Sequence, residues 1–373
     1  SRGLGDVYKR QAFLLPRSGV TPIGGYKVVY EYANRLAADG YEVELVYPAY
    51  VARFQQSLLV TCLKWSKSLI TFLYRRWKGY SGRQWFPLHE RIKEHWVWSL
   101  VEKRVPLADV YIATAVQTSR YLERYVGILP ERKYYFIQGF ENWGSNTSEH
   151  VMESYRYPMR KIAIARWLVE RVESCGESCA LIYNGFDFDY FKREIPCSDR
   201  DKFRIAMMYH ALETKGCADG FKALEIVKAR YPQIEVSIFG ATPRPRHLPK
   251  WYHYVQRPDR QTHNRIYNEA AIFIGTSWSE GWGLTVGEAM MCGAAVACTD
   301  NPGYSEMARN SETALVSPIK NSQALAENII RLLEDDELRC RIAEAGYRNI
   351  QQFTWEASYP KFRSLIENGC RQI

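Results

Sequence analysis

Short apolar runs alternate along this chain with longer stretches in which apolar residues recur every three or four positions. In the first half, residues 12–15 form an apolar run, "YKVVYEYANRLAADG" has helical spacing and stops at Gly40, and "YEVELVYP" reads as a strand closed by a proline. "ADVYIATA", "KYYFIQG" and "RKIAIA" follow as strands, with "TSRYLERYVG" and "RWLVERVES" as helices. The second half repeats the rhythm. "KFRIAMMYH", "IEVSIFG", "AIFIGTS" and "AAVACT" are strands, and "GCADGFKALEIVKARYP", "QTHNRIYNEA" and "LTVGEAMMCG" are helices. Residues 321–353 read as one continuous helical stretch, polar on one face. Continuous apolar strands separated by amphipathic helices predict parallel α/β architecture. Two doubly wound units are expected, joined between residues 170 and 200, with ligands outside the carboxyl ends of the strands.

The length of 373 residues suits two domains. With 46% hydrophobic and 24% charged residues, the chain has the composition of a globular protein with full cores. Its net charge of +9 favours an anionic partner, whether nucleotide, nucleic acid or acidic membrane, without choosing among them. No recognised nucleic-acid reader module accompanies the charge, so nucleic acid is not expected. Nine cysteines without a CxxC pair read as reduced, mostly buried thiols of a cytosolic protein. No metal-ligand spacing and no apolar run long enough to span a bilayer is present, and no signal peptide is visible. The Asn146-Thr-Ser triplet matches a glycosylation acceptor, which carries no meaning in the cytosol. Residues 1–11 show neither periodicity and are expected to be a non-native or disordered leader.

One region breaks the rhythm. In "LKWSKSLITFLYRRWKGYSGRQWF", residues 63–86, Trp65, Leu69, Phe72, Leu73 and Trp77 recur at near-helical spacing beside Lys64, Lys67, Arg75, Arg76 and Lys78. Two readings fit: a helix packed on the core with a solvated basic face, and an interfacial helix lying on anionic membrane.

The densest chemistry lies in "TSWSEGWGLTVGEAMMCG", residues 276–293. Glu280 and Glu288 would stand roughly 12 Å apart along an unbroken helix. Gly281 and Gly283 argue instead for a strand, a glycine turn and a helix beginning near Thr285, with Glu280 folded back over its mouth and Glu288 in its first turn. The start of such a helix presents unpaired N–H groups that suit a phosphate, and glycine lets the backbone approach it. Two carboxylates flanking a phosphate site can accept from hydroxyls on either side of a diphosphate. Thr285 and Glu288 equally match a capping box, which would give Glu288 a purely structural task.

Two further loops point the same way. Lys215 precedes a helix start, where a cation opposes the dipole unless an anion intervenes. His210, at the end of the preceding strand, can donate to phosphate or serve as an ordinary strand-end histidine. "GVTPIGG" places Gly24 and Gly25 at the start of a helix, without the spacing of a dinucleotide fingerprint or a Walker lysine.

Taken in order, these segments resemble the retaining glycosyltransferases of the large family 4, which have the GT-B fold of two Rossmann-like, doubly wound domains facing an interdomain cleft. Glu280 and Glu288 match the family's paired glutamates, Lys215-Gly216 its donor lysine, and "YNGFDFDYF" the segment entering its donor domain. His210 stands where the family usually has arginine. "FIQGFENW", with Gln138 and Glu141, is similar to the rhamnosyltransferases of bacterial rhamnan synthesis, which use dTDP-rhamnose.

The resemblance implies an acceptor-binding domain over 12–174, a nucleotide-sugar domain over 175–352, and a last helix, 353–373, crossing back to the first. It implies that Glu280, Lys215 and Gln138 are catalytic. It places Glu288, His210, Gly281, Trp282, Gly283, Leu284, Thr285, Gly24, Gly25, Val255 and Gln256 around the donor. The expected activity is transfer of a hexose or deoxyhexose, rhamnose among them, from a nucleoside-diphosphate sugar to a glycan or lipid-linked acceptor in bacterial surface polysaccharide synthesis. Configuration would be retained, no metal would be needed, and the protein would work in the cytoplasm or at the inner face of the membrane through residues 63–86. The competing readings are a sugar-nucleotide epimerase of the same fold and a membrane-associated binding protein whose site has decayed.

Overall fold

The computed structural model describes residues 10–17, 23–51, 58–144, 146–246 and 248–371. The chain divides into two compact units, one running to Tyr183 and resuming at Ser358, the other spanning Asn184–Ala357.

The first unit is built on seven parallel strands, β1 (Arg10–Leu14), β2 (Glu42–Pro48), β3 (Ile92–Val97), β4 (Val110–Ala113), β5 (Lys133–Ile137), β6 (Arg160–Ala163) and β7 (Cys179–Leu181). Their order across the sheet is β3-β2-β1-β4-β5-β6-β7. The inner strands are short and mostly apolar, as a parallel sheet covered by helices requires, with Gln11, Glu44, Lys133 and Lys161 as buried polar exceptions. These helices are α1 (Gly24–Ala38), α2 (Leu58–Trp77), α3 (Val116–Glu123), α4 (Ser148–Tyr155) and α5 (Arg166–Glu173). Helix α1 buries Val29, Tyr30, Tyr32, Ala33 and Leu36 on one stripe. It ends as its glycine predicts: the Gly40 amide turns back to the Ala37 carbonyl and the Tyr41 amide to that of Leu36.

The second unit has six parallel strands, β8 (Arg204–Tyr209), β9 (Glu235–Gly240), β10 (Tyr252–Gln256), β11 (Ile272–Gly275), β12 (Ala295–Thr299) and β13 (Leu315–Ser317), in the order β10-β9-β8-β11-β12-β13. Helices α6 (Cys217–Arg230), α7 (Arg260–Glu269), α8 (Leu284–Met291), α9 (Ser322–Glu334) and α10 (Asp336–Ile350) enclose a core that includes Met207, Leu224, Ile238, Ile274, Ile329 and Ile342. Helix α11 (Trp355–Arg371) follows.

Several expectations need correction. Arg10 and Gln11, expected within a non-native or disordered leader, are ordered as the first residues of β1, Arg10 pairing with Glu42 across the sheet; residues 1–9 lie outside the described part. The division falls at 183/184 rather than 174/175, because β7 pairs with β6 in the first sheet. On its return the chain rejoins the first unit at Ser358, not 353: Phe353 and Trp355 pack within the second unit on Trp282 and Gly185. Beyond that point Phe362 stacks on Tyr32 at 4.2 Å, and the Tyr359 hydroxyl and Arg363 both donate to Asp39. The single helix expected over 321–353 is two, broken at Asp335, whose carboxylate caps α10 by accepting the Leu338 amide. Cys197 and Cys340 form a disulfide, so the cysteines are not all reduced.

Helix α2 resolves the ambiguous region differently from either expectation. It ends at Trp77, and Gly82–Gln84 form a separate 3₁₀ turn. Phe72 is buried against Trp96 and Trp98. Trp65 and Trp77, from the same stripe, remain 49% and 76% exposed, so core packing accounts for only part of the apolar face.

Candidate active site

The site grows from two loops at the carboxyl ends of adjacent strands, β8 and β11. After β8 the chain makes a 3₁₀ turn, Glu213–Lys215, and enters α6 through Gly216. Gly216 has φ of 60°, and a Cβ there would stand 2.0 Å from the Thr276 carbonyl oxygen. Only glycine permits so close a crossing of the two loops. The loops are then tied together: Thr276 Oγ1 donates to the Lys215 carbonyl (2.7 Å), the Trp278 amide to the Thr214 carbonyl (2.8 Å), and Trp278 Nε1 to Asp219 (2.7 Å).

This seam brings Lys215 and Glu280 together. Lys215 Nζ lies 2.7 Å from Glu280 Oε1, their side chains 23% and 16% exposed. Ser277 Oγ donates to the same oxygen at 2.7 Å. Ser277 is itself fixed, its carbonyl accepting from Thr299 Oγ1 and Asn301 Nδ2. A partly buried lysine and carboxylate, held on separate loops, make a preorganised donor and acceptor side by side. His210 stands nearby, with Nδ1 accepting the Leu212 amide at 3.0 Å. That bond leaves the proton on Nε2, free to donate. Burial first, and the charge of Lys215 second, hold the imidazole below its ordinary pKa, against a smaller opposing pull from Glu280. His210 is therefore a neutral N–H donor at neutral pH.

Helix α8 opens beside this pair. Gly283 is its N-cap, with φ of 87°, and a Cβ there would stand 2.4 Å from the Tyr304 ring. The Val286 and Gly287 amides turn back to the Gly283 carbonyl. Those of Leu284 and Thr285 precede this first turn, on half-exposed residues. No side chain caps the helix, so the capping-box reading of Thr285 and Glu288 fails. Glu288 is the fifth helical residue, just past the first turn in which it was expected. It is 7% exposed and accepts the Tyr267 hydroxyl at 3.0 Å.

The other expected residues divide clearly. Gly281 is half-buried in the turn, but the Trp282 ring faces the unit's interior, packed on Phe353 and Phe186. Its side chain serves the core, and only its backbone borders the turn. Val255 and Gln256 end the edge strand β10, paired with Phe239 and Gly240. Gly24, Gly25 and Gln138 belong to the first unit, where a Cβ on Gly25 would lie 3.4 Å from Gln138 Oε1. The glycine loop before Gly24 lies outside the described residues from Ser18 to Pro22. The sequence reading missed Ser277 and Tyr267, which hold the two glutamates. Ser277, three residues before Glu280, stood in plain view, whereas nothing local linked Tyr267 to Glu288 across 21 residues.

Two parallel α/β units with this pair of glycine-crossed loops define the GT-B architecture. Residues 191–349, within the second unit, match the family described as Glycosyl transferases group 1. Over 102 residues the chain is 35% identical to the N,N'-diacetylbacillosaminyl-diphospho-undecaprenol alpha-1,3-N-acetylgalactosaminyltransferase of Campylobacter jejuni, covering 27% of each protein. It is 24% identical over 216 residues to the phosphatidyl-myo-inositol mannosyltransferase of Mycobacterium tuberculosis, covering 54% of this chain and 56% of that protein. The matches thus span about a quarter to about half the length of these curated relatives. Among solved structures, Anabaena Alr3699/HepE in complex with UDP-glucose superposes with a TM-score of 0.69 at 15% identity, over 96% of this chain and 99% of that one. Staphylococcus aureus TarM superposes with a TM-score of 0.68 at 11% identity, over 96% and 99%. At these identities the likeness concerns the fold.

Proposed function

We propose that the protein is a glycosyltransferase that moves a hexose or deoxyhexose from a nucleoside-diphosphate sugar to a glycan or lipid-linked acceptor. The observation that carries this reading is the Lys215–Glu280 pair, set 2.7 Å apart beside the uncapped start of α8. Breaking a glycosidic bond to a diphosphate builds negative charge on the leaving group. Lys215, His210 Nε2–H and the Leu284 and Thr285 amides supply donors of the right sign for that charge. Glu280 accepts from hydroxyls of the transferred sugar and Glu288 from the ribose. The base lies against the backbone at Val255 and Gln256. The leaving diphosphate takes the acceptor's proton, with departure and attack on one face, so configuration is retained.

The donor fits a UDP-sugar, by analogy with the UDP-glucose held by HepE. A dTDP-deoxyhexose fits the rhamnosyltransferase resemblance of "FIQGFENW". Work on bacterial surface polysaccharide agrees with the lipid-linked substrate named for the Campylobacter relative. No helix among the described residues is long and apolar enough to cross a membrane. Contact with the inner face of the membrane would instead use α2, whose exposed Trp65, Leu73, Tyr74 and Trp77 adjoin Lys67, Arg75, Arg76 and Lys78.

The test is turnover. Glu280→Ala and Lys215→Ala should each lower kcat by about 10² or more, the scale of losing one preorganised group. Near-normal turnover in both variants contradicts the assignment.

A further inference from the structure

A second set of hydrogen-bond acceptors lies in the first unit, on the loop between β5 and α4. Glu141 Oε2 accepts the amide of Val116, the first residue of α3, at 2.9 Å. The Glu141 carbonyl accepts from Asn146 Nδ2 (2.9 Å), and Asn146 Oδ1 accepts from Gln117 Nε2 (3.3 Å), so the loop is tied to α3 twice. On the same loop Gln138 Oε1 is buried with no donor among the described residues, close against Gly25.

The groups around Glu141 are Tyr26 from α1, Tyr135 from β5, Tyr155 from α4 and the Val116 amide from α3. Arg17 and Arg171 act on Tyr26 and Tyr155 beyond them. Burial pushes the Glu141 carboxyl up to about 7, and only the Val116 amide pulls against it. Among the described residues the site therefore has a carboxyl engaged by a single amide, an orphaned amide oxygen and no paired cation. Such a set is matched by a neutral ligand that brings hydroxyl donors. Trp143, two residues beyond Glu141 and 60% exposed, gives the same loop an aromatic surface for the apolar face of a sugar ring.

We propose that Glu141 and Gln138 form a sugar-hydroxyl site in the first unit, with Glu141 as the residue that positions the acceptor. This rests on the glycosyltransferase reading and adds an acceptor-side group to it. The ionised carboxylate holds the hydroxyl more firmly than the acid. The kcat/KM for acceptor therefore rises with pH through about 7.

Two measurements on the full chain test this. The first follows the ¹³C signal of the Glu141 carboxyl, assigned by its loss in Glu141→Gln, across neutral pH with and without a panel of methyl hexopyranosides. Titration near neutrality that shifts when one of these glycosides is added supports the site. A carboxyl indifferent to all of them overturns it. The second uses the nucleotide sugar that binds best, with the same glycosides as acceptors. Glu141→Gln should raise the acceptor KM about tenfold, the scale of one charged hydrogen bond, and abolish the limb near neutrality. Donor KM should be unchanged. An unchanged acceptor KM and pH profile, with normal donor binding, sinks this proposal and leaves the donor site standing. Absence of any nucleotide-sugar binding sinks the earlier reading, and the carboxyl titration then decides the Glu141 site by itself.

Discussion

Glu280 and Glu288 differ physically although both are acidic residues of one segment. Glu280 is held by a lysine and a serine in a partly open position, whereas Glu288 is buried and takes a tyrosine hydroxyl. Their spacing and the glycines between them were legible in the sequence. Their partners were not, because Lys215 and Tyr267 reach them through strand order, which local periodicity does not encode. Glu141 shows the same limit from the other side: its shift comes from the burial that the tertiary fold imposes, and "QGFENW" carries no sign of it. The shift has a consequence for stability. A carboxyl raised to about 7 in the native state, from an ordinary 4.5, binds more protons folded than unfolded between those values. Its contribution is present below about 4.5 and is lost as pH rises through about 7. Glu141→Gln should therefore gain stability relative to the parent across that window, by roughly 2–4 kcal/mol at most, and level off above it. Denaturant unfolding at several pH values checks this; a difference that is flat with pH contradicts the burial argument.

Among the elements, the inner strands and the principal helices were readable because continuous apolar runs and 3.6-residue stripes are strong local signals. Edge and terminal pieces were not. Strand β3 sets Lys93, Glu94 and His95 in a row between Ile92 and the pair Trp96 and Val97, a pattern without the apolar continuity of a buried strand. It is an edge strand, and its Lys93 and His95 meet Glu44 of β2. Helix α2 was legible as a helix, but the fate of its apolar stripe depended on what lay opposite, and of that stripe Phe72 is the residue buried, against Trp96 and Trp98. If the remaining face serves a membrane, Trp65→Ala with Trp77→Ala should abolish flotation with vesicles of anionic lipid. Folding stability should change by less than about 0.5 kcal/mol per site, as for exposed positions. Equal flotation of parent and variant removes the membrane role.

At the scale of the molecule, the two-unit parallel plan followed from the strand–helix rhythm alone. Its joints did not, since the limits at 183/184 and 357/358 are set by pairing and packing partners far apart in sequence. Strand β7 is only three residues long and joins the first sheet through β6, and Phe362 reaches the first unit after the whole second unit has intervened. What unites the second unit with its proposed chemistry is one arrangement: a lysine after β8 and a glutamate after β11, joined at the start of α8. The most direct measurement is calorimetric titration of the parent and of Lys215→Ala with UDP-, GDP- and dTDP-sugars. One donor class should bind the parent, and Lys215→Ala should weaken that binding about tenfold or more, the cost of a charged hydrogen bond. Binding of none of these donors, or equal affinity in the two proteins, would contradict the account.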